Sequence, residues 1–370
     1  MSRARTFADL ATASEEDSLA NRNYFYNGDM QIYQKGSVSV ASDSIASTTL
    51  DRWRMYNYSD GAVTVTQDTN APSATAFTKS LKIDVTTADS SLGADEQAFI
   101  QQRFEGQDLQ NFLKGTSSAK KATLQFWVSS PKTGTHIVEW YDTDNSRQIS
   151  KTYTISSANT WEFKTITFDA DTTGTWNNDN AQSLEISWWL CAGTNFTSGT
   201  LNTTWGSVTS ANRAVGQVNT FDNTSNNFYL TGVQLELGEV ATPFKHESYA
   251  DNLARCQRYY YKLGTTNSSA WTKFGGGMIR TTGDAVALIQ NPVEMRTVPS
   301  IGTTGTASDY GLFHANTTTA SSAVPVLDGQ STQKMTALNC AASSGLTAGR
   351  GMVLVAYNNT AIYLDFSAEL

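Results

Sequence analysis

Residues 228–263 read FYLTGVQLELGEVATPFKHESYADNLARCQRYYYKL, and two periodicities meet in this stretch. Val233, Leu235 and Leu237 alternate with Gln234 and Glu236, the period-2 pattern of a half-buried strand. Gly238 punctuates that strand, and Thr242-Pro243-Phe244 breaks regular structure. Ser248 followed by Asp251 supplies a helix N-cap and a first-turn carboxylate. Tyr249, Leu253, Cys256 and Tyr260 then fall on one helical face. The stretch predicts a strand that closes one β-domain, followed by a helix that leads into another.

Working outward from it, short alternating segments recur at residues 81–85, 123–128, 135–141, 161–168 and 184–190, each bounded by Gly, Asn, Asp, Ser or Pro. No strand–helix alternation interrupts them, so the fold class is all-β, a β-sandwich of jelly-roll type. Residues 23–245 are assigned to that sandwich, 246–264 to the linking helix and 265–370 to a small C-terminal β-domain. Residues 1–22, with Arg5, Phe7 and Leu10, read as a terminal arm too short to fold alone. Residues 23–36 are expected to form the first strand region around an Asn27-Gly28 turn. Gly275-Gly276-Gly277 reads as a turn, and the polar segment 193–227 is too long for a hairpin loop.

Composition narrows the function classes. Only 16% of residues are charged and 11% are aromatic, the usage of an exterior β-protein. A net charge of −8 argues against nucleic acid as the partner, and no apolar run is long enough to insert in a membrane. With no secretory leader, synthesis in a cytoplasm is expected. Cys191, Cys256 and Cys340 are odd in number and widely spaced, which fits buried free thiols rather than a disulfide or zinc framework.

No nucleophile elbow, phosphate loop or metal-spaced histidine set appears among His136, His246 and His314. Three acid pairs, Asp142/Asp144, Asp169/Asp171 and Asp95/Glu96, lie in turn-rich segments where Asp bonds its own backbone. Two of them resemble the start of an irregular Ca²⁺ loop, but Tyr153 and Asn180 stand where the twelfth-position Glu belongs. No enzyme activity, metal or other cofactor is expected. Aromatic rings are the better binding candidates, because they stack on the apolar faces of sugars. Trp176, Trp205 and Trp271 sit in polar loops and are the carbohydrate-binding candidates, while Trp53, Trp127, Trp161 and Trp188 read as core. The run Tyr259-Tyr260-Tyr261 reads as helical with one ring outward, so Leu253, Arg258 and Tyr260 are the candidate subunit-interface residues.

Four segments carry a resemblance. Asn27-Gly-Asp-Met-Gln-Ile-Tyr-Gln-Lys-Gly36, Leu50-Asp-Arg-Trp53, residues 229–244 and Cys256-Gln-Arg-Tyr-Tyr260 together resemble a family of tailed-phage virion proteins, described as tail-fibre or structural proteins. The run Asn291-Pro-Val-Glu-Met-Arg-Thr-Val-Pro299 looks like that family's C-terminal domain. The resemblance implies a carbohydrate-binding-module-like jelly roll, a homotrimer, and an attachment segment at Arg5, Phe7 and Leu10. It implies a virion appendage that meets other virion proteins and host-surface polysaccharide. Head decoration, an adaptor role and a glycan depolymerase are the alternatives.

Overall fold

Side-chain amides, rather than a strand ladder, organise the start of the chain in the computed structural model, which describes residues 23–44, 50–264, 271–357 and 359–370. Residues 23–36 contain no strand, contrary to the sequence expectation, yet nearly every residue from Asn23 to Ile32 is buried. A buried irregular backbone must find hydrogen-bond partners elsewhere. Asn27 adopts φ 51° and its Nδ2 donates to the Ile32 and Asp51 carbonyls at 2.9 and 3.2 Å, while Ile32 N–H donates to its Oδ1 at 2.9 Å. Gln102 brackets Tyr26, accepting from its N–H at 2.8 Å and donating to its carbonyl at 3.0 Å. Asn23 does the same for Phe25, Val233 and Leu235. The candidate attachment residues Arg5, Phe7 and Leu10 lie outside the described residues.

The described chain divides into two compact units between Asn252 and Leu253, with Leu370 grouped in the first. The first unit is a β-sandwich jelly roll of two six-stranded antiparallel sheets. In chain order its strands are β1 Val38–Val40, β2 Arg54–Tyr58, β3 Ala62–Asp68, β4 Ser80–Thr87, β5 Gln97–Glu105 and β6 Ala122–Ser129. There follow β7 Gly134–Asp142, β8 Arg147–Ile155, β9 Glu162–Phe168, β10 Gln182–Ala192, β11 Gly206–Ser207 and β12 Asn227–Leu237. The first sheet runs β1-β3-β4-β12-β6-β9 and the second β11-β8-β7-β10-β5-β2. Their inner faces bury one core in which Trp53 and Trp188 lie 5.6 Å apart, ringed by Phe25, Phe104 and Phe126. His136 at the start of β7 belongs to it, stacked on Tyr153, and burial pushes its pKa down to about 4.

β12 shows why a simple alternation is not enough. Phe228 and Leu230 point inward, as do Val233 and Leu235, so the parity changes between them. A β-bulge between Thr231 and Gln234 absorbs the change, with Gly232 at φ 62°. A Cβ on Gly232 would meet Phe77 at 2.7 Å, so only glycine fits. Gln234 and Glu236 then point away from the core and bind the returning chain, accepting from Lys245 N and Thr242 N at 2.8 and 2.7 Å. They are buried by that return and not by the sandwich.

Helix α1 spans Tyr249–Gln257, and Ser248 caps it as expected: Asp251 N–H donates to Ser248 Oγ at 3.1 Å. It ends well short of residue 264. Tyr260–Gly264 is instead a strand, β13, antiparallel to β22 (Tyr363–Ser367). Tyr259, Tyr260 and Tyr261 are all buried, and none is the outward helical ring expected from the sequence. The run of three aromatic residues favours the extended state here. Tyr249, assigned to the apolar helical face, is exposed.

The second unit adds β14 Lys273–Ile279, β15 Asp284–Gln290, β16 Ser300–Thr303, β17 Tyr310–His314, β18 Thr317–Ala320, β19 Val326–Leu327, β20 Met335–Ala341 and β21 Gly351–Ala356. They form a seven-stranded sheet, β18-β17-β21-β14-β15-β20-β19, and a three-stranded one, β13-β22-β16. Gly275-Gly276-Gly277 lies inside β14 and is not a turn; a Cβ on Gly277 would stand 1.8 Å from the Val286 carbonyl oxygen. Asn291 earns its place in the Asn-Pro-Val run by accepting from Tyr261 Oη at 2.8 Å and donating to the Gln333 carbonyl.

Replacing Asn27 by Ala removes three hydrogen bonds to buried backbone and leaves a non-glycine residue in the left-handed region. The cost is expected to be about 3 kcal/mol, read as a lower urea midpoint for the first unit.

Candidate functional site

The three tryptophans nominated from the sequence do not make one site. Trp271 is exposed but lies in the second unit, its ring edge on Tyr357. Trp176 and Trp205 are brought together, lining a recess with Phe112, Lys114, Trp140 and Asp171. Both face the Lys114 ammonium, 5.5 and 5.4 Å from their ring centroids. Trp176 is only 6% exposed, contrary to expectation, and has no open face on which a sugar could stack. The Asn- and Thr-rich segment around it folds inward because its polar groups close on one another and on Lys114.

That lysine also draws in the residues read as calcium-loop starts. Lys114 Nζ lies 2.6 Å from Asp142 Oδ2 and 3.1 Å from Asp171 Oδ2, and donates to the Thr173 and Gly174 carbonyls at 2.9 and 2.7 Å. Asp171 is further held by Arg147 at 2.7 and 2.9 Å. Burial would raise the Asp171 pKa, but Arg147 and Lys114 outweigh it and hold the carboxyl below its usual range. A carboxylate held ionised in this way is a poor general acid. An internal ammonium here takes the oxygen ligands that an irregular cation loop would offer.

The outer face of the second sheet is different. Registers across β8, β7, β10, β5 and β2 set its outward side chains in transverse rows. Gln148, Tyr141, Glu185 and Arg103 make one row; Ser150, Glu139, Ser187, Gln101 and Arg54 make the next. A third is aromatic: Tyr56 stacks on Phe99 at 4.7 Å, and Phe99 packs on Trp189 at 5.2 Å. The long segment 193–227 covers the aromatic end, placing Phe196 against Trp189 and capping the patch with Ala214. Arg213 clamps it, donating to Glu139 from Nε and Nη2 at 2.7 and 2.9 Å. Burial opposes the Arg213 charge, yet Glu139 more than offsets this and raises its pKa.

What the segment leaves uncovered is a floor of hydrogen-bonding groups between half-exposed rings. Arg54, Tyr56, Arg103, Tyr141, Gln182 and Glu185 are each half-buried. The Gln101 amide, oriented by its neighbours, presents Oε1 to Arg54 Nη1 at 3.0 Å and Arg103 Nε at 3.3 Å, and Nε2 to Ser187. Arg103 is paired with Glu185 at 2.7 Å and donates to the Leu370 carbonyl oxygen at 3.2 Å. Glu185 also accepts from Gln182. Gln148 is fully buried, and neither amide atom has a partner among the described residues. An unpaired buried amide is expensive, and this one lies beneath the face, where β11 pairs with Gln148, rather than open on it.

None of these floor residues was nominated from the sequence. Trp127 and Trp161, read as core, are half-buried on or beside the opposite sheet's outer face, where Phe163 packs on Trp127 at 5.3 Å. Of the interface candidates, Leu253 and Arg258 are half-buried, while Tyr260 is buried in β13 with its hydroxyl on Asp365 at 3.3 Å. No cluster of three or more metal-ligating side chains occurs among the described residues.

No protein-family model and no curated protein matches the chain. Among solved structures it is similar to the enzymatically active domain of tailspike protein 4 of bacteriophage CBA120, at 16% identity and a TM-score of 0.32 over 58% of this chain and 21% of that one. It spans only about a fifth of that tailspike chain. It is also similar to a family 61 carbohydrate-binding module solved with β-1,4-galactotriose, at 11% identity and a TM-score of 0.30 over 59% and 99% of the two chains. A family 11 module from a Clostridium thermocellum cellulase gives 10% identity and a TM-score of 0.27 over 54% and 99%. Likenesses this distant carry no functional assignment.

Lys114→Ala leaves Asp142 and Asp171 buried beside each other without their shared cation. It is expected to cost about 3–5 kcal/mol in chemical denaturation. The wild-type melting temperature is expected to stay unchanged by EDTA, since Lys114 supplies the charge.

Proposed function

We propose that the first unit binds glycan chains, without cleaving them, on the outer face of its second sheet. One observation carries this reading. In two transverse rows, the half-buried side chains of Arg54, Arg103, Tyr141 and Glu185, with Tyr56 and Gln182 beside them, lie over buried Gln101, Glu139, Ser150 and Ser187. Sugar hydroxyls both donate and accept, and a mixed floor of this kind meets them while rings cover the apolar faces. The two carboxylates of the floor, Glu139 and Glu185, are already paired with guanidiniums. That favours binding over an acid–base pair.

The resemblance of the sequence to tailed-phage structural proteins makes a virion appendage, a tail fibre or similar, the natural setting. In this reading a homotrimer, mounted by residues 1–22 on other virion proteins, holds host-surface polysaccharide. Exposed apolar side chains on the seven-stranded sheet support self-association: Phe313 and Leu288 lie in one row with Gly276 and half-buried Val353 between them, and exposed Met278 stands beside it. Three weak sites on one particle-borne trimer would bind with avidity.

Affinity electrophoresis of the purified chain in host polysaccharide is expected to show retardation, and Tyr56→Ala or Gln101→Ala should weaken it about tenfold. Loss on Trp127→Ala instead would move the site to the other sheet. Retardation by no host polysaccharide would return the protein to a scaffold role, and release of reducing ends would make it a depolymerase. Sedimentation at micromolar concentration is expected to give a trimer; a clean monomer defeats that part.

A further inference from the structure

The floor is not electrically neutral. Its two polar rows hold two guanidiniums, Arg54 and Arg103, against two carboxylates, Glu139 and Glu185, and Arg213 of the covering segment brings a third guanidinium to Glu139. Both carboxylates are taken, one by Arg213 and one by Arg103. Glu105, next along β5, is fully buried and accepts from Gln107. Arg54 is therefore left with the Gln101 carbonyl oxygen, and no carboxylate stands within ion-pair distance of it among the described residues. A half-buried guanidinium has five donors in a planar fork, and one amide oxygen uses only a fraction of them. Burial and the neighbouring Arg103 both work against its charge, with Glu185 only partly compensating. All this occurs in a chain whose net charge is −8, where an uncompensated cation is not the background condition.

We propose that Arg54 is the anchor for an acidic group on the bound glycan, a uronate carboxylate or a sulfate ester, held by the guanidinium fork with Gln101 and Tyr56 beside it. This rests on the glycan-binding reading and narrows it to acidic polysaccharides. The geometry favours it because an anion would complete the hydrogen bonding of Arg54 and relieve the repulsion between Arg54 and Arg103. A neutral sugar does only the first.

The test uses the full chain in affinity gels with two matched pairs: polygalacturonate against its methyl ester, and dextran sulfate against dextran. At least one acidic polymer is expected to retard the protein tenfold or more strongly than its neutral counterpart, and added salt should weaken that difference. The pair that responds separates carboxylate from sulfate recognition. Arg54→Gln is expected to reduce the acidic interaction by roughly tenfold to a hundredfold, with Arg54→Lys in between. Lys82→Gln, on the opposite sheet, should change nothing. If Arg54→Gln does not fold, the wild-type comparison of each polymer with its neutral form still decides. Equal retardation by acidic and neutral polymers, or a preference that survives Arg54→Gln, overturns the acidic reading and leaves glycan binding standing. Tyr56-dependent binding of neutral host polysaccharide, with none of either acidic polymer, does the same. Failure to bind any glycan removes the reading beneath it.

Discussion

The sandwich depends on a handful of side-chain amides that stand in for a missing strand. Residues 23–32 pass through the interior, where an irregular backbone would ordinarily be prohibitively costly. Asn23, Asn27 and Gln102 remove that cost by bonding both donors and acceptors of the passing chain. Trp53 ties its indole N–H to the Asn27 carbonyl at 3.2 Å, so the same segment also fixes one of the indoles of the core. Phe25 then packs against Trp53 and Trp188, joining the threaded segment to the second sheet. Polar satisfaction and aromatic packing are one construction here, and neither would hold without the other.

From that core outward, the two faces of the second sheet serve opposite ends. Strand pleating sends every other residue of β5, β7 and β10 to the interior, and those positions hold Ile100, Phe104, Val138, Trp140, Ile186 and Trp188. The alternate positions hold Gln101, Arg103, Glu139, Tyr141, Glu185 and Ser187. The long segment 193–227 divides this outer face. It seals the aromatic end through the Arg213–Glu139 clamp and leaves Arg54, Arg103, Tyr141 and Glu185 at the polar end half-buried. A rigid floor of this sort is preorganised, because strands and paired charges hold its groups before any ligand arrives.

The Lys114 cluster shows how the same residues can mislead. Asp142, Asp171 and two loop carbonyls converge as oxygen ligands do around a metal, but a lysine from the segment after β5 reaches their centre. Its two flanking tryptophans face the ammonium, Trp176 buried and Trp205 half-buried. Loop composition had suggested exposed rings; convergence of distant loops on Lys114 buried Trp176 and half-buried Trp205.

The sequence by itself determined the all-β class, the strands between residues 81 and 190, the closing strand at 227–237, the Ser248 cap and the burial of all three cysteines. These follow from local periodicity and capping chemistry, which neighbouring residues carry on their own. It also placed Trp53 and Trp188 in the core. Tertiary structure alone decided the rest. Tyr260–Gly264 became a strand because β22, a hundred residues later, offers it a ladder. Gly275–Gly277 became a strand because β15 and β21 pair with it on both sides, and at Gly275 and Gly277 the β15 backbone comes too close for a side chain. The candidate binding face was invisible in the sequence because its rows run across strands, joining Arg54, Gln101, Ser187 and Glu139 through registers that no local pattern encodes.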